Sequence, residues 1–254
     1  MKLVRKKIIL ESANKGTLSF NYYYNLMKEL YRCMTEVDKE KSLNLHELGY
    51  VLDGNKRFKL FNYNLIIENV ETNEQGLQIY EKDTIKLVLS GVAEVVNLII
   101  KGLIKKEYIT LNDLKLQVVD MNDDSKIRFN NIMLYKTRTP VVESIYDKEN
   151  KRAYYLNPLQ QDYYKALGQN LLRKYKLVYK KDYEGELYFD IENTLNIKKK
   201  FIKGVKKGYL IGYQDFEMYI QADYDMQKIA YHLGVGQNNS LGMGHLSYIT
   251  GRRF

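Results

Sequence analysis

The sequence predicts an α+β protein made of two tandem βαββαβ halves, residues 1–124 and 125–254. Three observations predict it. The order of strand-like and helix-like segments is the same in both halves, although no sequence repeat is visible. The polar stretch Asn122-Asp-Asp-Ser-Lys126 separates them. The composition, 45% hydrophobic and 28% charged with 24 tyrosines, is that of a folded chain rather than a disordered one.

Residues 3–10 read as the first strand. A helix over 22–37 follows, because Tyr23, Leu26, Met27, Leu30, Met34 and Val37 recur at three- and four-residue steps. Residues 58–70 and 77–89 are strand-like and flank a polar hairpin loop at 71–76. Val92, Val95, Val96, Ile99 and Leu103 mark the stripe of a second helix, and 108–119 closes the half as a strand. The second half opens with strands near 132–134 and 152–155. Asn157-Pro158 supplies a cap and a first helical residue for a helix carrying Leu159, Tyr163, Leu167, Leu171 and Tyr175. Strands at 185–194 and 208–222, a short helix over 225–233 ended by a left-handed Gly234, and a last strand at 243–250 complete it. Two βαββαβ units with antiparallel sheets are a ferredoxin-like pair, a topology shared by RNA-recognition domains and by metabolic proteins.

Lys and Arg number 40 against 31 Asp and Glu, a net charge of +9 that favours an anionic partner, nucleic acid or a membrane surface. Residues 95–100, interrupted by Asn97, are the longest apolar run, far short of the roughly 20 residues that span a bilayer. The basic N-terminus has only a three-residue apolar stretch before Glu11, too short for a secretory signal, and Cys33 is the only cysteine. A cytoplasmic protein without disulfides is the expectation. Three dispersed histidines with no second cysteine predict no metal site, and no cofactor motif is present. Asp123-Asp124 reads as loop solvation.

The most specific segment is Gly234-Val-Gly236-Gln-Asn-Asn-Ser-Leu-Gly242-Met-Gly244, between a helix and a strand. Its glycines let backbone approach a phosphate closely, and Gln237, Asn238, Asn239 and Ser240 are suitable donors. A Rossmann or Walker loop is excluded: those follow a strand and open a helix, and no Gly-Lys-Ser/Thr occurs.

The run from Asp225 to Gly244 resembles the C-terminal glycine-rich signature of the CRISPR-associated repeat-processing endoribonucleases, the Cas six family of the RAMP superfamily. At the other end, the helix containing Tyr31, the segment Leu45-His46-Glu-Leu-Gly-Tyr50 and Lys59-Leu60-Phe61 resemble that family's first helix, histidine segment and Lys-Leu-Phe strand, in the same order. Between these ends the likeness is one of element order and length. The resemblance implies cleavage of repeat RNA by attack of a ribose 2′-hydroxyl on the adjacent phosphate, giving a 2′,3′-cyclic phosphate and a 5′-hydroxyl without a metal. It implies binding of precursor and mature guide RNA, as monomer or homodimer, and a place beside other CRISPR-associated proteins in a larger complex. It places Tyr31, His46 and Lys59 in the roles of base, acid and charge stabiliser, with the order of Tyr31 and His46 open. The glycine loop, through Gly234, Gly236, Asn238, Asn239, Ser240, Gly242 and Gly244, is placed on the RNA.

Each of these residues also has a plainer reading. A histidine is the natural proton-transfer group near neutral pH, yet many histidines only pack or cap. Tyr31 falls on the rim of the helix's apolar face, roughly 80° from its middle at about 100° per residue, where a packing tyrosine is equally at home. Lys59 is an ordinary strand lysine unless it meets a phosphate, and Lys56 competes for the same duty. Lys199, Lys200, Lys203 and Lys206, interleaved with Phe201, suit a phosphate backbone or simply solubilise a hairpin. His232 and His245 flank the glycine loop as weaker candidates. The alternative function is a RAMP subunit that binds guide RNA without cutting it, and a small-molecule enzyme on the same scaffold is the more distant third.

Overall fold

Alternation in LVRKKIILES turns Ile8, Leu10 and Ser12 to one face, and the segment forms β1 (Leu3–Ser12) at the centre of the first sheet. The computed structural model describes residues 1–52, 56–68, 70–192, 197–203 and 208–249, which divide into two compact units, Lys2–Ser125 and Lys126 onward with Met1. In the first unit β1 is followed by α1 (Tyr23–Val37), α2 (Lys39–Glu47), β2 (Phe61–Ile67), β3 (Thr84–Val92), α3 (Ala93–Lys106) and β4 (Leu114–Asp123). The sheet order is β2-β3-β1-β4, all antiparallel, with Tyr108–Leu111 added at the edge beside β4. The register sets Ile8 opposite Leu87 and Leu10 opposite Ile85. Helices α1 and α3 touch at Gly102, where a Cβ would lie 1.9 Å from the Cys33 carbonyl oxygen, so a side chain there would force the helices apart.

The second unit contains β5 (Ile132–Thr137), α4 (Gln161–Tyr179), β6 (Tyr188–Ile191), β7 (Glu217–Gln221), α5 (Tyr224–Leu233) and β8 (Leu246–Tyr248), in the order β6-β7-β5-β8. Second, third, first, fourth is the strand order of both units, the ferredoxin-like arrangement expected twice. Two hairpins are added, Ser144–Asp147 with Arg152–Tyr155 and Lys198–Lys203 with Tyr209–Gln214. Among the described residues no helix is long and apolar enough to cross a membrane.

The structure corrects the reading in detail. Each long expected strand breaks where a non-glycine residue takes positive φ: Leu60, Lys82, Asn112 and Asp215 divide residues 58–70, 77–89, 108–119 and 208–222. Gly76–Ile79, severed from β3, pairs instead with Gly16–Ser19 and Glu71–Thr72 in a small separate sheet. Asn157-Pro158 makes a turn rather than the helix start: the Asn157 side chain accepts from the Leu159 amide, α4 begins at Gln161, and Leu159 is exposed. Of the strands expected at 185–194 and 243–250, the described residues form strand only over β6 and β8, and residues 193, 194 and 250 lie outside the described residues. Gly234 has φ 75° and ψ 168°, outside the left-handed helical region and open to glycine alone. Asp123 and Asp124 are ion-paired to Lys6 at 2.6 Å and to Arg5 at 2.8 Å rather than merely solvating a loop.

Candidate active site

Helix α2, unforeseen in the sequence, carries His46 in its last turn. Asp38 starts it by accepting from the Lys41 amide at 2.9 Å, and Gly49 ends it at φ 61° with its amide returned to the Asn44 carbonyl. Of its nine residues only Ser42 and Leu45 are buried, which is why hydrophobic periodicity did not reveal it. Ser42 Oγ and Thr35 Oγ1 lie 2.9 Å apart and both donate to the Tyr31 carbonyl, tying α2 to α1.

This seats the exposed His46 ring edge-on to the Tyr31 ring, centroids 5.1 Å apart and planes at 87°. Tyr31 also meets Phe61 edge-on at 6.0 Å. Burial holds the Tyr31 phenol well above its usual pKa, so it stays protonated, and its hydroxyl has no hydrogen-bond partner among the described residues. Lys59, half-buried between the strand Lys56–Phe58 and β2, donates from Nζ to the carbonyls of Leu45 and His46. Burial first, and then the nearby Arg57 charge, lower its pKa to about 8. Tyr31, His46 and Lys59 therefore converge on one helix end. Lys56 is exposed on the same short strand.

The glycine-rich loop is largely buried and bonded within the second unit. Lys174 of α4, 1% exposed, donates to the carbonyls of Gly234 at 2.8 Å and Gly236 at 3.1 Å. Burial pushes its pKa down to about 7 against the opposing pull of Glu143. The Gln237 amide group donates to Glu143 Oε2 and to the Ser144 carbonyl, both at 3.0 Å, and Asn239 Nδ2 donates to the carbonyls of Val235 and Met243. Gly236, Gly242 and Gly244 all have positive φ, and at Gly244 a Cβ would lie 1.8 Å from the Val235 carbonyl oxygen. Asn238 is exposed and Ser240 half-buried. His245 is buried with its amide on Thr139 Oγ1, and His232 Nδ1 is 2.9 Å from the Lys228 carbonyl.

Lys199, Lys200 and Lys203 are exposed on their hairpin, with the Lys199 ammonium over the exposed Phe201 ring at 5.1 Å. Lys206 lies outside the described residues. Among the described residues no three His, Cys, Asp or Glu side chains group to hold a metal ion.

Both halves of the chain match known families. Residues 17–122 match the family described as CRISPR-associated protein Cas6, N-terminal, and residues 122–248 match CRISPR associated protein Cas6, C-terminal. The chain belongs to the Cas6 family. It is similar to CRISPR-associated endoribonuclease Cas6 1 of Methanocaldococcus jannaschii, 21% identical over 249 residues that cover 95% of this chain and 91% of that one. A solved structure described as CRISPR associated protein Cas6 shares the fold with a TM-score of 0.80 at 20% identity, covering 98% of this chain and all of that one. Another, described as an RAMP protein binding different RNA substrates, shares it at 0.82 and 16%, covering 97% and 99%.

Three residues of this Cas6 chain escaped sequence reasoning. Arg57 donates to the Glu47 carbonyl at 2.6 Å and so joins Lys59 at the end of α2; as one cation among several in a short strand it gives no signal. Ser42 is likewise silent. Lys174 does carry a signal, a lysine set into the apolar stripe of Leu167, Leu171, Tyr175 and Val178, but lysines are rarely buried and the pattern alone does not mark it as a clamp.

Proposed function

We propose that this chain is an endoribonuclease that processes CRISPR repeat RNA by metal-independent attack of a 2′-hydroxyl on the adjacent phosphate. The observation that carries the reading is the convergence of Tyr31, His46 and Lys59 at the C-terminal end of α2. His46 takes the 2′-hydroxyl proton as the 2′ oxygen bonds to phosphorus. The bond to the 5′ oxygen breaks, and that oxygen finally carries the proton His46 removed, leaving a 2′,3′-cyclic phosphate and a 5′-hydroxyl. Tyr31, kept protonated by burial, serves as a hydrogen-bond donor to the leaving oxygen rather than as a base. Lys59 has three N–H donors, two of them on carbonyls, so the third is available to the charge growing on the phosphate. Lys56, Lys199, Lys200 and Lys203, with Asn238 and Ser240 of the glycine loop, bind the RNA backbone in this reading, and other Cas proteins receive the product.

The test is cleavage of a repeat-containing RNA by the purified chain in excess EDTA, with the ends identified. Cyclic phosphate and 5′-hydroxyl ends are expected; a requirement for divalent metal or 3′-hydroxyl ends would overturn the mechanism. The engagement of Lys59 with backbone carbonyls favours a second reading, a subunit that binds guide RNA without cutting it. An inert wild type with tight, salt-dependent RNA binding would establish that one.

A further inference from the structure

We infer that Arg57 is a positioning residue for His46, acting through the backbone of α2 rather than on RNA; this rests on the reading of His46 as the proton-transfer group. The carbonyls of Leu45, His46 and Glu47 are consecutive, and the last carbonyls of a helix lack partners within it. Here all three are met by cations: Lys59 Nζ on Leu45 and His46, Arg57 Nη1 on Glu47. Positive charge at a helix C-terminus is favourable, and the side chains come from the strand Lys56–Phe58 and the residue just after it, so they fix the helix end in space as well as completing its hydrogen bonds.

Packing does only part of this work, through Leu45 and the edge-on contact of His46 with Tyr31. Helix α2 buries only Ser42 and Leu45, and Leu43 and Leu48 are about half exposed, at 51% each. Nothing on the outer face of its last turn is enclosed, so where the three carbonyls are held, together with the Tyr31 ring, sets the direction in which His46 projects. Lys59 cannot hold them alone, because its ammonium already bridges two. Nor can the helix end shift toward the strand: a Cβ on Gly49 would lie 2.5 Å from the Phe58 carbonyl oxygen and 3.2 Å from Lys59 Nζ, so backbone and cation are already in close contact. Ser42 ties the middle of the helix to α1, and Arg57 is the tether on the last of the three carbonyls. Proton transfer is sensitive to such placement, since a small displacement of the acting group removes it from hydrogen-bonding reach of the reacting oxygen.

The test compares Arg57→Gln and Arg57→Lys by single-turnover cleavage at saturating RNA, by RNA affinity, and by the NMR signals of the His46 imidazole in the free protein. Arg57→Gln is expected to slow cleavage roughly tenfold with affinity within about twofold of wild type, and to move the imidazole signals. Arg57→Lys, which keeps a cationic donor, is expected to recover most of the rate and return the signals. A Gln variant with normal rate and unmoved imidazole overturns the inference. So does one whose only defect is affinity, which would make Arg57 an RNA contact, or one whose lost rate Lys fails to restore while the imidazole is undisturbed, which would place Arg57 on the reacting phosphate. If His46→Ala cuts like the wild type, the proposed mechanism fails; the imidazole signals still report on Arg57, so the two failures are separable.

Discussion

In the first unit His46, the residue proposed to move the proton, stands on a nine-residue helix that buries two side chains, whereas in the second the glycine-rich loop is buried along most of its length and clamped by Lys174. The loop holds itself together from within: Gln237, Asn239 and Lys174 all bond to protein carbonyls or to Glu143. The helix is held from outside, by cations reaching its end from the strand Lys56–Phe58 and the residue just after it. The contrast teaches that the conspicuous motif and the reactive group answer to different demands. Glycines at positive φ are required wherever backbone passes against backbone, and they mark the sequence strongly. His46, exposed on a helix that buries only two side chains, leaves almost no pattern.

The comparison breaks most sharply at His46. His46→Ala is expected to slow single-turnover cleavage by roughly 10²–10⁴-fold with little change in melting temperature, because the side chain is exposed and its ring contact with Tyr31 is edge-on. Cleavage at the wild-type rate would remove the acid–base assignment. The opposite signature is expected from Lys174→Ala, which leaves two buried carbonyls and Glu143 without their cation. It should lose about 3–5 kcal/mol of unfolding free energy in denaturant titrations, while any protein that still folds cuts bound RNA at a near-normal rate. A stable Lys174→Ala protein would mean the loop is not clamped as described.

Smaller effects sharpen the contrast. With its pKa lowered to about 8, the Lys59 ammonium loses its proton earlier than an ordinary lysine. A rate that depends on that charge is level below the lowered pKa and falls as pH rises through it, about tenfold per further pH unit. A profile flat to pH 10 would take Lys59 out of the chemical step. Ser240→Ala should be the mildest change, shifting stability by no more than about 0.5 kcal/mol and lowering RNA affinity without touching the rate at saturation. Unchanged affinity would leave the loop a structural element only.

Periodicity alone carried the two βαββαβ orders, since Leu26, Leu30 and Met34 in α1 and Tyr163, Leu167 and Leu171 in α4 are buried at the spacing that announced them. It overran strand ends at Leu60, Lys82, Asn112 and Asp215, because a single residue at positive φ breaks a strand without disturbing the hydrophobic pattern around it. Tyr31, His46 and Lys59 were legible as residue types in a familiar order, not as a site. What the sequence by itself determined is the alternation and helical spacing that select a sheet with helices on it, and the glycines without which the loop backbone cannot fold. Tertiary packing alone brings Tyr31, His46 and Lys59 to one helix end and sets Arg57 and Lys174 on the carbonyls they clamp. The reason is physical: local pattern reports which face of an element is buried, whereas a cation meeting a distant carbonyl depends on how elements far apart in the chain are brought together.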